Sequence, residues 1–180
     1  RLRANALVQG LPASVTFQKG QKAQVIRDLV CNDPGDVVFE LMEGDDVVAR
    51  SNPVRIVSEA NLLPYWGDLH GQSEETIGTN SARDFHAFAR DNAFLDAVGH
   101  QGNDFQITQE FWAQLNELTA EFNEDGHFIA FPGYEWSGNT GMGGDRNVLF
   151  LEEGRQIHRS SHALVDDLSD EATDAHTAAE

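Results

Sequence analysis

The sequence has a single cysteine, Cys31, so no intrachain disulfide can form and the chain must be held together by packing. It is poor in basic residues, with 12 Lys+Arg against 30 Asp+Glu and a net charge of −18. A surface that acidic repels the phosphate backbone of nucleic acid and anionic lipid alike, so neither is expected as a partner. Phosphorylated small molecules stay open, because bound divalent cations reverse the local sign. No apolar run reaches transmembrane length and no leader peptide is recognisable. The chain opens at Arg1 and ends on the acidic, alanine-rich "DEATDAHTAAE". It is read as a piece of a longer protein, so the missing leader says little about where the parent resides.

What is present suffices for a packed core: 40% of the 180 residues are hydrophobic and 11 are Phe. The pattern changes near Asn61, which predicts two domains, 1–61 and 62–180. In the first, "ASVTFQ", "AQVIRDLVC" and "DVVFELM" read as short strands separated by the turn sequences "KGQK" and "NDPGD". "EGDD" then joins the third run to "VVARS" as a hairpin. Strands without helical period predict a small all-β, sandwich-like domain.

Beyond Pro64 the pattern becomes strand, helix, strand. "PYWGDL", "LDAVGH", "HFIAFPGYEW" and "RNVLFLEE" read as strands. Residues 81–95 form a predicted helix, with Ser81 as cap and Phe85, Phe88 and Ala89 on one face. Residues 108–123 form the strongest one, with Phe111, Leu115, Leu118 and Phe122 at helical spacing and Thr108 as cap. Strands alternating with helices predict parallel pairing through right-handed crossovers, hence an α/β domain.

Three residues with ligand chemistry, His70, His100 and Glu135, fall at the C-terminal ends of predicted strands. In parallel α/β sheets those ends share one side, so residues distant in sequence can converge there. Imidazole with carboxylate suits Zn, Mn or Fe better than Ca. Asp68, Gln72, Glu75, Asp104 and Asp145 surround them in sequence, as further ligands, partners of a ligand histidine, or a base. Asp68, Gln72 and Asp104 are the catalytic candidates. The glycine-rich "SGNTGMGGDRN" matches no phosphate-loop pattern and reads as a loop over the site. Arg146 and Asn147 at its end are the candidate substrate contacts, with Arg146 suited to an anion. A solvent-facing loop histidine and a plain strand-end acid are the bland alternatives for His70 and Glu135.

"YWGDLHGQS", "LDAVGHQGND", "GYE" and "GDRNVLFL" occur in an order that resembles the PHP-type metal-dependent hydrolases, and in particular the branch known as DUF3604. The resemblance covers roughly residues 63–151. It implies the first part of a distorted (β/α)7 barrel, with an appended β-domain before it. It also implies one to three Zn, Mn or Fe ions, with His70, His100 and Glu135 as metal ligands and phosphoesters as the substrate class. Two positions depart from the pattern. Gln72 stands where the first motif has a second histidine, and Asp145 where relatives often have histidine. The departures keep open hydrolysis of another bond (an amide, sulfate ester or lactone) and a non-catalytic binding module.

Overall fold

The computed structural model describes residues 1–180, which form two units, Arg1–Pro64 and Tyr65–Glu180. The first unit contains only β-structure. Strands β1 (Leu2–Ala4), β3 (Phe39–Glu43) and β4 (Asp46–Arg50) form an antiparallel sheet in the order β1-β3-β4. Strands β2 (Gly35–Val37) and β5 (Val54–Ile56) form a second, two-stranded antiparallel sheet. Glu40 lies between Arg3 and Arg50, and Asp36 pairs with Arg55. The predicted strands "ASVTFQ" and "AQVIRDLVC" do not form; an isolated bridge between Gln9 and Val30 is the pairing left in that stretch. β-branched residues there favour extended backbone, but a strand needs a ladder partner to satisfy its amides.

In the second unit, β6 (Gly67–Gly71), β7 (Ala97–His100) and β8 (Ile129–Phe131) form a parallel sheet in the order β6-β7-β8. Helices α1 (Ala82–Asp91) and α2 (Gln109–Phe122) make the two crossovers. Both starts are capped. Ser81 Oγ accepts from the Asp84 amide and Thr108 Oγ1 from the Phe111 amide, each at 3.1 Å. Helix α2 buries Phe111, Trp112, Leu115, Leu118 and Phe122 in a core shared with Val98, Ala130, Tyr134 and Trp136. Helix α1 turns Ala89 and Phe85 of the predicted face to the core together with Ala82 and His86, whereas Phe88 points outward. No helix is long and apolar enough to cross a membrane.

The expected (β/α)7 barrel is not present. "HFIAFPGYEW" is two strands, not one, because Pro132 lacks the amide needed to continue a ladder. On its N-terminal side β8 pairs with β7; on its C-terminal side β9 (Gly133–Ser137) pairs antiparallel with β10 (Asp145–Leu149). The short loop between β9 and β10 cannot make a parallel crossover, which needs a dozen or more residues. After β10 the chain contains one short 3-10 turn, Glu171–Thr173, and no further strand. Two helices and three parallel strands leave the sheet open at β6 and β8. Gly133 makes the sharp step possible, since a Cβ there would lie 2.5 Å from Val148 O and Gln101 Nε2.

Leu115→Ala should cost about 2–5 kcal/mol in urea unfolding of the second unit, because it opens a cavity under α2. Phe88→Ala, on the exposed face of α1, should cost under about 0.5 kcal/mol. Equal costs at the two positions would contradict this packing.

Candidate functional site

Residues 102–104, just past β7, pair with β9 and draw Glu135 to the C-terminal end of the parallel sheet. The Glu135 amide donates to Gly102 O and the Asp104 amide to Glu135 O, both at 2.9 Å. His70 reaches the same place from the end of β6, with its Nε2 3.8 Å from Glu135 Oε2. Side chains alternate along β9, so Glu135 faces the site while Tyr134 and Trp136 face the core.

Glu135 sits in a frame of neutral amides. Asn103 Nδ2 donates to its Oε2 at 3.0 Å and Gln72 Nε2 to the same oxygen at 3.4 Å. Thr76 Oγ1 donates to Gln72 Oε1 at 2.7 Å, which fixes the direction of that amide. The carboxylate is largely buried. Burial raises its pKa above the usual range, opposed chiefly by His70 and reinforced by Asp145 and Asp104. No Lys or Arg pairs with it: lysine is absent from this unit, and Arg83, Arg90, Arg155 and Arg159 each pair with another acid.

The other predicted residues divide. Asp68 is beside His70, but its Oδ1 accepts from the His70 backbone amide at 3.0 Å, not from the ring. His100 is fully buried. Its Nδ1 accepts from the Gly102 amide at 3.2 Å, so Nε2 carries the proton and donates to Ser73 Oγ at 2.7 Å. Phe85 and Phe111 pack edge-on against the ring. Burial, with His86 nearby, pushes its pKa down to about 4. A neutral imidazole with both nitrogens engaged has no lone pair to give. Asp104 is likewise buried, with Oδ1 accepting from the Ser137 amide and Oδ2 from the Ser160 amide. It clamps two chain segments rather than facing the site. Glu75 accepts from the Ala82 amide and caps α1.

The two candidate substrate contacts lie on opposite faces of the β9–β10 ribbon. Asn147 stands across from Glu135, and its Oδ1 is 2.9 Å from His70 Nδ1. Arg146 stands across from Trp136 and lines a separate cleft of about 390 Å³ with Tyr134, Trp136, Val148 and His158. Sequence reasoning passed over Ser73 and Asn103. Asn103 lies in the same "GHQGND" turn as His100, but its use depends on pairing with a strand far along the chain.

For a metal, the donor set is incomplete. No three His, Cys, Asp or Glu side chains gather closely enough to hold an ion. His70 and Glu135 fit a shared cation, as an imidazole beside an unneutralised, desolvated carboxylate. His100 does not.

Residues 46–176 match the family described as "Protein of unknown function (DUF3604)". The chain belongs to the DUF3604 family. Uncharacterized proteins of Chlamydia are similar to it over 132 residues, 72% of this chain: 24% identical in Chlamydia pneumoniae and 27% in Chlamydia trachomatis serovar D. A third, from Chlamydia muridarum, is 26% identical over the same length. The match covers 21% of each relative, so the chain spans about a fifth of the length of these relatives. No solved structure matches.

The buried histidines predict acid sensitivity. The His100 pKa lies below its ordinary 6.5, so its stabilising effect is complete above that value and is lost as pH falls toward 4. A pKa lowered from 6.5 to about 4 corresponds to a loss on the order of 3 kcal/mol by pH 4. His86, also lowered by burial, adds in the same sense, and Glu135, which is raised, opposes it. Urea midpoints between pH 7 and pH 4.5 should fall, and His100→Gln should flatten the slope. An unchanged slope in that variant would contradict the buried neutral ring.

Proposed function

We propose that this chain supplies one wall of the active site of a metal-dependent hydrolase, with phosphoesters as its substrate class and His70 and Glu135 as donors to the ion. The observation that carries the proposal is the state of Glu135. Its carboxylate is desolvated, framed by the amides of Asn103 and Gln72, faces an imidazole, and has no fixed cation beside it. A buried carboxylate without a counter-charge is costly, and a cation shared with His70 would remove that cost.

A divalent Zn, Mn or Fe ion there would lower the pKa of a bound water and polarise the ester. The chain's own groups hold the geometry. Asp68 fixes the His70 backbone, Asn103 and Gln72 orient Glu135, and Ser73, bonded to His100, anchors the loop after β6. The amide of Gln72 is a poor ligand for such an ion, which suits a framing role. Metal sites use three or more protein donors. The proposal therefore requires further donors from outside this chain, which spans about a fifth of the length of the relatives it matches. The likeness to PHP-type hydrolases enters through Asp68, His70 and Glu135 and not through a barrel.

One observation favours a second reading, hydrolysis of a neutral bond such as an amide or lactone. Arg146 is turned to the other face, and no free guanidinium stands on the Glu135 face to meet a phosphate.

Full-length protein purified in Mn²⁺ or Zn²⁺ should retain metal, and His70→Ala and Glu135→Ala should each lose it. Activity should fall more than about 100-fold, beyond the roughly 10–100-fold typical of lost partners behind the ligands. Metal content and hydrolysis unchanged in both variants would sink the proposal. Turnover of a phosphate monoester against a lactone and an amide separates the two substrate readings.

A further inference from the structure

The hydrogen bonds of Asn147 decide which nitrogen of His70 is free. Asn147 Nδ2 donates to the Leu69 carbonyl at 2.9 Å. With its NH₂ group turned to that carbonyl, the amide presents its oxygen to the imidazole, and Oδ1 lies 2.9 Å from His70 Nδ1. An amide oxygen only accepts, so in the neutral ring Nδ1 carries the proton. The lone pair is then on Nε2, the nitrogen 3.8 Å from Glu135 Oε2.

We propose that Asn147 is a positioning residue, which holds neutral His70 in its Nδ1–H tautomer and turns the Nε2 lone pair toward Glu135. Its place is set by the ladder, because Asn147 lies directly across from Glu135 on β10. One side chain thereby ties the end of β6 to the β9–β10 ribbon and selects the tautomer. The two ends of the asparagine amide serve the two partners with separate atoms, Nδ2 donating to Leu69 O and Oδ1 accepting from the ring. A histidine that donates one N–H to a fixed oxygen is oriented and made more basic at the other nitrogen. This role deepens the reading of His70 as a metal donor and rests on it for its purpose. The tautomer itself can be observed without metal.

The test is ¹⁵N NMR of the imidazoles in the metal-free full-length protein, at a pH where His70 is neutral and with its signals assigned by His70→Gln. Wild type should show a protonated Nδ1 and a free Nε2. Asn147→Leu removes the acceptor, so the Nε2–H form should appear. Asn147→Asp keeps an oxygen at Nδ1 and should preserve the wild-type tautomer. Both variants lose the bond to Leu69 O, so their difference isolates the acceptor. Mn²⁺ affinity, measured by calorimetry, should fall about 10–100-fold in Asn147→Leu and largely recover in Asn147→Asp. A wild-type proton on Nε2, or an unchanged tautomer in Asn147→Leu, would overturn the proposal. If Asn147→Leu does not fold, the wild-type and Asn147→Asp spectra still decide it. The expected tautomers in a wild type that binds no Mn²⁺ would support the role of Asn147 while sinking the metal reading.

Discussion

Two backbone hydrogen bonds around Glu135, one from its amide to Gly102 and one from the Asp104 amide to its carbonyl, bind β9 to the end of β7. Together with the side-chain bonds from Asn147 to Leu69 O and from Gln101 to Val148 O, they fix the ribbon of β9 and β10 against the parallel sheet. The rest of the site depends on that connection. It places the Glu135 carboxylate opposite His70 and brings Asn103 to its side. The same turn carries Asp104, whose buried carboxylate receives the amides of Ser137 and Ser160. Arg159 bonds the Asp104 carbonyl and pairs with Asp170, so part of the C-terminal segment is also anchored at this corner.

The charge of the chain acts on the site through what is absent from it. With arginines paired to acids or turned to the far face, Glu135 is surrounded by amides, a hydroxyl and an imidazole. Neutral donors can orient a carboxylate, but they do not compensate its charge as a cation does. That imbalance makes Glu135 the most informative group in the chain. His100 is the contrasting case: more deeply buried, it is satisfied as a neutral ring by Gly102 and Ser73, and needs nothing more.

Local patterns were legible wherever the interaction that decides them is short-ranged. The apolar spacing of Phe111, Leu115, Leu118 and Phe122, and the caps at Ser81 and Thr108, involve residues within a few positions of one another. Extended runs were less legible. "ASVTFQ" and "AQVIRDLVC" have strand composition but acquire no ladder, because strand formation depends on a distant partner. The single strand expected for "HFIAFPGYEW" breaks at Pro132, which lacks an amide N–H, and the antiparallel β9–β10 ribbon beyond it takes the place of a further barrel strand.

Residue order was enough to place the helices, the strong acidity, and the residue types able to form a site in "DLHGQS" and "GYE". Their use came from the fold. It joined His70 to Glu135 and Asn147, buried His100 and Asp104 in hydrogen bonds, and sent Arg146 to the opposite face of the ribbon. The physical reason is that a side chain's chemistry depends on which lone pairs and protons remain free. That follows from partners brought near by strand register, which lie tens of residues away in sequence and leave no mark on the local pattern.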